Sequence, residues 1–152
     1  MDSQFLKPPF FLVCYDPLEL EELLFHTHAA ERVEVPNAAS PLYRGTLDGQ
    51  PVAILRMPFG DRREMLRKAI STFLNRFRPS AVFSLGSAMG LSDRAHVGEV
   101  FLSSGAEWGK DSVTFGQEFR RLIEVSRPHA LELRVGRSLC SPTFVQGKEE
   151  RL

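Results

Sequence analysis

The sequence predicts an α/β fold, a three-layer α/β/α sandwich with a mixed central sheet, in one domain of residues 1–152. Three observations lead to this prediction. A continuous apolar run of strand length begins at Phe10, an Asp-Gly pair at 48–49 joins two strand-like segments, and a helical repeat of apolar residues follows. Strands that alternate with helices are typical of folds in which helices cover a sheet.

The first strand and helix are predicted from residues 10–30. The run Phe10–Tyr15 is apolar without interruption, as in a strand that is buried on both faces. Asp16 and Pro17 then supply a helix cap and a first-turn proline, which predicts a helix from Leu18 to about Ala30.

A hairpin and a second helix follow. Tyr43–Met57 is predicted to form a β-hairpin, because Asp48-Gly49 is a strong signal for a two-residue turn. Apolar residues at helical spacing predict a helix over Asp61–Phe77. The remaining predictions are a central strand at Ala81–Leu85, a strand at Val100–Ser103, a loop at Asp111–Gly116, a helical turn at Glu118–Val125 and a helix-to-strand passage at Leu131–Leu139.

The composition narrows the class of protein. Hydrophobic residues make up 43% and charged residues 25%, which is typical of a soluble globular domain. The net charge is +0, so the overall charge gives no support for a nucleic-acid or membrane partner. Two cysteines and scattered histidines form neither a disulfide framework nor a metal site, so we expect a cytoplasmic protein without metal or cofactor.

The most informative motif is the turn Gly86-Ser87-Ala88-Met89-Gly90-Leu91, which directly follows an apolar strand. Its small residues let backbone amides approach a ligand, and Ser87 adds a hydroxyl. Open α/β sheets bind ligands at the carboxyl ends of their strands. The turn therefore predicts a sugar or phosphate pocket, with an ordinary tight connection as the alternative.

Together with the corner Val97-Gly98-Glu99, this turn resembles the nucleoside phosphorylases and nucleosidases, whose pattern is Gly-Ser-Ala-Gly-Gly-Leu followed by Val-Gly-Asp. The resemblance is greatest to the methylthioadenosine/adenosylhomocysteine nucleosidase branch. Further stretches match the family in the same order, namely Tyr43–Gly49, Pro58–Gly60, Asp111–Gly116 and Cys140–Gly147.

The resemblance implies hydrolysis of the N-glycosidic bond of a purine nucleoside. That reaction needs a base to activate water, and the resemblance implies Glu19 for this role. Because the alignment needs a one-residue gap, Glu21 remains open, and either carboxylate could instead be a solvated group at the positive end of a helix. Ser84 stands where phosphorylases of the family carry a phosphate-binding Arg, so water is favoured over phosphate as the nucleophile.

The resemblance also implies three groups of substrate-binding residues and a homodimer. The three groups are Ser87, Ala88 and Met89 for the ribose, Phe144 and Val145 for the purine, and Phe59 with Val113 and Phe115 of a second subunit for the 5′ group. A single Phe such as Phe144 is otherwise most often a core residue.

The sequence departs from the family pattern at several positions. Met89 replaces a Gly, Phe59 is bulkier than the usual residue, and Pro142 stands where the family usually has Asp. The family's ribose-binding Met-Glu pair and its purine-protonating Asp lie beyond the last matched segment. We therefore expect a C-terminally incomplete fold whose activity is open. The alternatives are a non-catalytic nucleoside-binding or interaction module and a phosphate-dependent phosphorylase.

Overall fold

The computed structural model describes residues 10–34, 41–57, 63–88, 90, 95–108, 110–116 and 133–140. The chain divides into two compact units, residues 1–87 and 88–152. The first contains β1 (Phe10–Cys14), α1 (Pro17–His26), β2 (His28–Val33), β3 (Leu42–Leu47), β4 (Gln50–Arg56), α2 (Arg63–Phe77) and β5 (Ala81–Ser84), and the second contains β6 (Val100–Trp108), β7 (Asp111–Thr114) and β8 (Leu133–Cys140). Within these ranges, no helix combines the length and apolarity needed to span a bilayer.

The sheet of the first unit is mixed, as predicted. Its strand order is β2-β3-β4-β1-β5. β1 runs parallel to both β4 and β5, whereas β3 is antiparallel to β2 and to β4. Because β1, β4 and β5 are parallel, their carboxyl ends meet at one edge of the sheet, which is where the candidate site lies.

The two helices of the first unit cover opposite faces of this sheet. Successive side chains of a strand point to alternate faces. Phe11 belongs to a buried cluster with Phe73 of α2, whereas its neighbour Leu12 belongs to a second cluster with Leu20 of α1. The three α/β/α layers that the sequence predicts are therefore present in this unit.

The predicted hairpin is confirmed, and its turn explains why. β3 and β4 are joined by Asp48 and Gly49, whose φ angles are 47° and 73°. A two-residue turn with positive φ at both positions matches the twist of the paired strands. Asp and Gly adopt such angles more readily than most residues do, so the local sequence determines the register of this strand pair.

The first helix is shorter than predicted. It ends at His26 rather than near Ala30, and the residues from His28 onward form β2 instead. Thr27 closes the helix, since its N–H donates to the Leu24 carbonyl and its hydroxyl donates to the Leu23 carbonyl. Pairing of β2 with β3 thus outweighs the helical propensity of Ala29 and Ala30.

Two further predictions need correction. β5 was expected to be central, but it is the outermost strand of the described five-stranded sheet, and Val82 is 47% exposed. The segment Asp111–Gly116 was expected to be a loop, but it contains β7, which pairs with β6. Gly105 permits this pairing, because a Cβ at that position would lie 2.5 Å from the Val113 carbonyl oxygen. The predicted helical turn at Glu118–Val125 lies outside the described residues.

The second unit contains a three-stranded sheet of order β7-β6-β8. β6 is antiparallel to β7 and parallel to β8, which confirms a strand at the end of the predicted helix-to-strand passage. The ion pair between Arg137 and Glu107, at 2.6 Å, joins β8 to β6. Single-domain organisation of residues 1–152 remains a prediction.

The core contact of α2 gives a stability prediction. Phe73 is 1% exposed and packs against Phe11, whereas Phe25 on α1 is 83% exposed. We expect Phe73→Ala to lower the free energy of unfolding by about 3–5 kcal/mol, because it leaves a cavity between helix and sheet. Phe25→Ala, the matched control, should change it by less than about 0.5 kcal/mol. Urea denaturation of both variants would measure this, and equal losses would contradict the packing described.

Candidate functional site

The candidate site begins with Glu19, which occupies the third position of α1. Asp16 caps this helix, and its carboxylate accepts a hydrogen bond from the Leu18 N–H at 2.8 Å. Glu19 Oε2 in turn accepts from the backbone N–H groups of Asp16, at 3.0 Å, and of Tyr15, at 3.1 Å. Asp16 and Glu19 thus form a capping box, which holds the Glu19 side chain over the end of β1.

The second carboxylate oxygen of Glu19 bonds to a distant part of the chain. Glu19 Oε1 accepts a hydrogen bond from the backbone N–H of Ser87 at 2.9 Å, and the two residues are 68 positions apart. A capping box involves only residues of the first helical turn. Helix capping therefore accounts for Oε2 but not for the bond that connects Oε1 to the glycine-rich turn.

These contacts determine the ionisation of Glu19. Partial desolvation of the carboxyl raises its pKa, but the backbone hydrogen bonds from Asp16, Tyr15 and Ser87 outweigh that effect and lower the pKa. The group is therefore a carboxylate at neutral pH. Its ionisation stabilises the folded state above the pKa of the unfolded chain, and this stabilisation is lost as the pH falls through the lowered folded-state pKa.

Gly86 leaves room for a group the size of a Cβ beside this carboxylate. A Cβ at position 86 would lie 3.7 Å from Glu19 Oε1 and 3.7 Å from Cδ2 of the Tyr15 ring. We call this space, between Glu19 and the Tyr15 ring at Gly86, the Gly86 notch. Ser84 and Ser87, on either side of Gly86, are exposed. Small molecules from solvent can therefore approach the notch along this rim.

The arrangement leaves the ionised carboxylate able to accept a further hydrogen bond. A carboxylate oxygen has two lone-pair sites, and the described hydrogen bond from Ser87 uses one of those on Oε1. The other can accept a hydrogen bond from a water molecule at the rim. Three backbone donors hold the carboxylate in place, so it is preorganised for this contact and ionised before it occurs.

Glu21, the alternative to Glu19, lies on a different side of the helix. Residues two positions apart on an α-helix do not face the same direction. The Glu21 side chain is exposed, whereas Glu19 is half-buried and bonded to Ser87. The geometry thus connects Glu19, and not Glu21, with the glycine-rich turn, and supports Glu19 as the candidate.

The other predicted site residues fall into two sets. Ala88, Val113 and Phe115 belong to the second unit and are exposed, with Val113 on β7 and Phe115 just after it. The Phe115 N–H donates to the Ser104 carbonyl at 3.0 Å. The remaining predicted residues lie outside the described part of the chain, namely Phe59, Met89, Phe144 and Val145.

Cys14, at the end of β1, is a free and fully buried thiol next to this site. Burial raises its pKa, and the Glu19 carboxylate raises it further, while Arg56 acts in the opposite direction. The thiol therefore stays protonated at neutral pH. Since the thiolate is the reactive form, Cys14 is a packing residue and not a nucleophile.

Tyr15 contributes to this site although no sequence motif marks it. Its backbone holds Glu19 and its ring borders the Gly86 notch. The spacing of Asp16 and Glu19 is that of a capping box, so the backbone contacts of Glu19 could have been found from the sequence. The bond to Ser87 could not, because it depends on the parallel pairing of β1 with β5.

Several known proteins are similar to the chain. A 5′-methylthioadenosine/S-adenosylhomocysteine nucleosidase of Halalkalibacterium halodurans is 33% identical over 91 residues, which cover 58% of this chain and 38% of that protein. A crystal structure of the Neisseria meningitidis enzyme of the same name, in complex with methylthio-immucillin-A, matches 95% of this chain and 69% of its own, with a TM-score of 0.80 and 16% identity. A futalosine hydrolase mutant of Helicobacter pylori matches 95% of this chain and 73% of its own, with a TM-score of 0.76 and 12% identity.

The structural matches establish the α/β fold that the sequence predicts. The matched part spans little more than a third of the length of the Halalkalibacterium protein. The family model described as the phosphorylase superfamily matches residues 9–151, which is nearly the whole sequence. This match confirms the family that the motifs indicated, and the chain belongs to the phosphorylase superfamily.

Proposed function

We propose that this chain carries the water-activating side of a nucleosidase site. The reaction is hydrolysis of the N-glycosidic bond of a purine nucleoside of the methylthioadenosine or adenosylhomocysteine type. The observation that carries the proposal is the ionised Glu19 carboxylate, bonded to the Ser87 N–H at 2.9 Å beside the open Gly86 notch. The substrate class is proposed from the similarity of the chain to 5′-methylthioadenosine/S-adenosylhomocysteine nucleosidases.

In the proposed reaction, Glu19 accepts a proton from a water molecule at the rim while the water oxygen attacks the anomeric carbon. A bond forms between that oxygen and the carbon, and the glycosidic C–N bond breaks. Its electron pair leaves with the purine, which takes up one proton from solvent, and Glu19 then releases to solvent the proton that it accepted from water. Positive charge develops on the sugar in the transition state, and the nearby Glu19 carboxylate stabilises it.

Water rather than phosphate is the proposed nucleophile. Ser84 has a neutral hydroxyl at the end of β5, at the position where phosphorylases of this family carry an Arg. A phosphate dianion close to the ionised Glu19 would be repelled, and the neutral Ser84 hydroxyl does not offset that repulsion as a guanidinium would. A neutral water molecule incurs no such cost.

The remaining assignments extend the same proposal. Ser87, Ala88 and Met89 would bind the ribose, Phe144 and Val145 the purine, and Phe59, Val113 and Phe115 the 5′ group. The last two would come from the second subunit of a homodimer. Exposures of 51% for Val113 and 43% for Phe115 are in keeping with residues that contact another subunit. A cytoplasmic location is in keeping with the free Cys14 thiol, and cell fractionation would test it.

The central test replaces the carboxylate with an amide of the same shape. Glu19→Gln cannot accept a proton, so we expect the rate of purine release to fall by roughly 10²–10⁴-fold. Glu21→Gln, on the exposed side of the same helix, should retain the rate of the unmodified protein. Chromatography of free adenine from methylthioadenosine or adenosylhomocysteine, in phosphate-free buffer, would measure both, with circular dichroism to verify folding.

The pH profile gives an independent check. Because the pKa of Glu19 is lowered, the midpoint of the acid limb of the kcat/KM profile should lie below about 4.3, the ordinary pKa of glutamate. Equal losses in the two variants would contradict the role of Glu19. Release that requires phosphate would indicate a phosphorylase, and adenine binding without release would indicate a non-catalytic nucleoside-binding module.

The dimer proposal has its own test. We expect the protein to sediment as a dimer, and Val113→Asp to convert it to a monomer because a charge would be buried in the interface. Val97→Asp is the matched control, since Val97 lies in an exposed turn before β6. Analytical ultracentrifugation would distinguish the species. A monomeric unmodified protein, or a dimer unaffected by Val113→Asp, would contradict the proposed contact.

A further inference from the structure

Two hydroxyl groups meet at the rim of the Gly86 notch. The Ser84 hydroxyl donates to the Tyr15 hydroxyl oxygen at 3.5 Å. The two residues come together because β1 and β5 are parallel neighbours, with Val13 opposite Ser84 and the Leu85 N–H bonded to the Val13 carbonyl at 2.8 Å. The paired strand ends thus hold both side chains at one edge.

This contact leaves bonding capacity unused. Hydrogen bonds between hydroxyl groups usually measure 2.5–3.0 Å, so a separation of 3.5 Å is long. Each hydroxyl can donate one hydrogen bond and accept two. A third polar group placed between the Tyr15 and Ser84 hydroxyls could bond to both at closer distances than they bond to each other.

The pair lies beside the proposed base. The Tyr15 N–H donates to Glu19 Oε2 at 3.1 Å, and the Tyr15 ring and Glu19 Oε1 both border the Gly86 notch. A group held by the two hydroxyls would therefore lie at the same strand-end edge as the carboxylate. All of these residues belong to the first unit.

The Tyr15 ring is also well anchored. It is half-buried and packs against the core cluster that contains Phe11 and Phe73. Ser84, by contrast, is exposed. The phenol is thus held by packing at one end and reaches the accessible rim at the other, which is an arrangement typical of a tyrosine that binds a polar group.

The charges of the site decide which group fits. Both hydroxyls are neutral, and the adjacent Glu19 carboxylate is ionised. An anion would be repelled by Glu19, whereas a neutral hydroxyl could donate to one member of the pair or to the carboxylate and accept from the other. The chemistry that matches is a single neutral hydroxyl group.

We propose that Tyr15 and Ser84 form a hydroxyl clamp that binds one neutral hydroxyl group beside Glu19. Water and a ribose hydroxyl share this chemistry, and both would be present in the reaction. The role of the clamp in catalysis rests on the proposed function, whereas its capacity to bind a nucleoside can be tested without turnover.

The kinetic test removes each hydroxyl separately and together. We expect Tyr15→Phe and Ser84→Ala each to lower kcat/KM by roughly threefold to tenfold, the value of one hydrogen bond. The double variant should lose less than the product of the two factors, because both hydroxyls bind the same group. A fall in kcat with unchanged KM would identify the bound group as water. A rise in KM would identify it as a ribose hydroxyl of the substrate.

Matched controls are available for both changes. Tyr43→Phe removes the hydroxyl of the other tyrosine, which lies on β3, and Ser71→Ala removes an exposed hydroxyl from α2. Neither residue borders the notch, so both variants should keep the kinetic constants of the unmodified protein. Losses in the controls equal to those at Tyr15 and Ser84 would overturn the clamp.

A second readout does not depend on turnover. The sequence has 2 tyrosines, so in a Tyr43→Phe background the ring carbons of labelled tyrosine report on Tyr15 alone. We expect methylthioadenosine to shift this resonance, and Ser84→Ala to reduce the shift. If the protein releases purine but neither variant changes the kinetics, the clamp is wrong and the proposed function stands. If the protein releases no purine, the proposed function fails. In that case a shift of the Tyr15 resonance on addition of methylthioadenosine supports the clamp, and an unchanged resonance overturns it.

Discussion

The hydrogen bond from the Ser87 N–H to Glu19 Oε1 joins the two parts of the first unit on which the site depends. One part is the start of α1, where the capping box holds the other carboxylate oxygen. The other is the turn after β5, which the pairing of Leu85 with Val13 places beside the end of β1. A carboxylate with donors on both oxygens cannot rotate freely, and in the described part of the chain backbone N–H groups stabilise its charge.

This constraint explains why the neighbouring residues are small or neutral. A side chain at Gly86 would occupy the space next to Glu19 Oε1, and a cation near it would compete with water for the carboxylate. Tyr15 and Ser84 instead present neutral hydroxyls, and among the described residues no cation pairs with Glu19. An ionised Glu19 with neutral hydroxyls at the same strand-end edge is the basis for proposing water as the reactant.

Much of the first unit could be predicted because its signals are local. Asp48-Gly49 specifies a hairpin turn, and Asp16-Pro17 specifies a helix start, whatever the rest of the chain does. The end of α1 could not be predicted in this way, because residues after Thr27 leave the helix to pair with β3, a tertiary contact. The outer position of β5 in the described sheet likewise depends on the other strands, since an apolar sequence alone does not distinguish a central strand from an outer one.

In the candidate site, too, local features could be predicted from the sequence and tertiary contacts could not. The glycine-rich turn and Glu19 could each be recognised from motifs, but the choice between Glu19 and Glu21 depended on helix register relative to a turn 68 residues away. Tyr15 carried no motif, and its contribution follows from the position where β1 ends. Residues that act through strand pairing are thus the ones that a motif search misses.

The most direct test of this account is an NMR titration of backbone amides. If the Glu19 carboxylate accepts from all three donors, the amide protons of Tyr15, Asp16 and Ser87 should shift together as the pH is lowered, with one shared midpoint below the ordinary glutamate pKa of about 4.3. The three shifts should disappear in Glu19→Gln. A Ser87 amide that does not follow the other two would contradict the bond on which the proposed site depends.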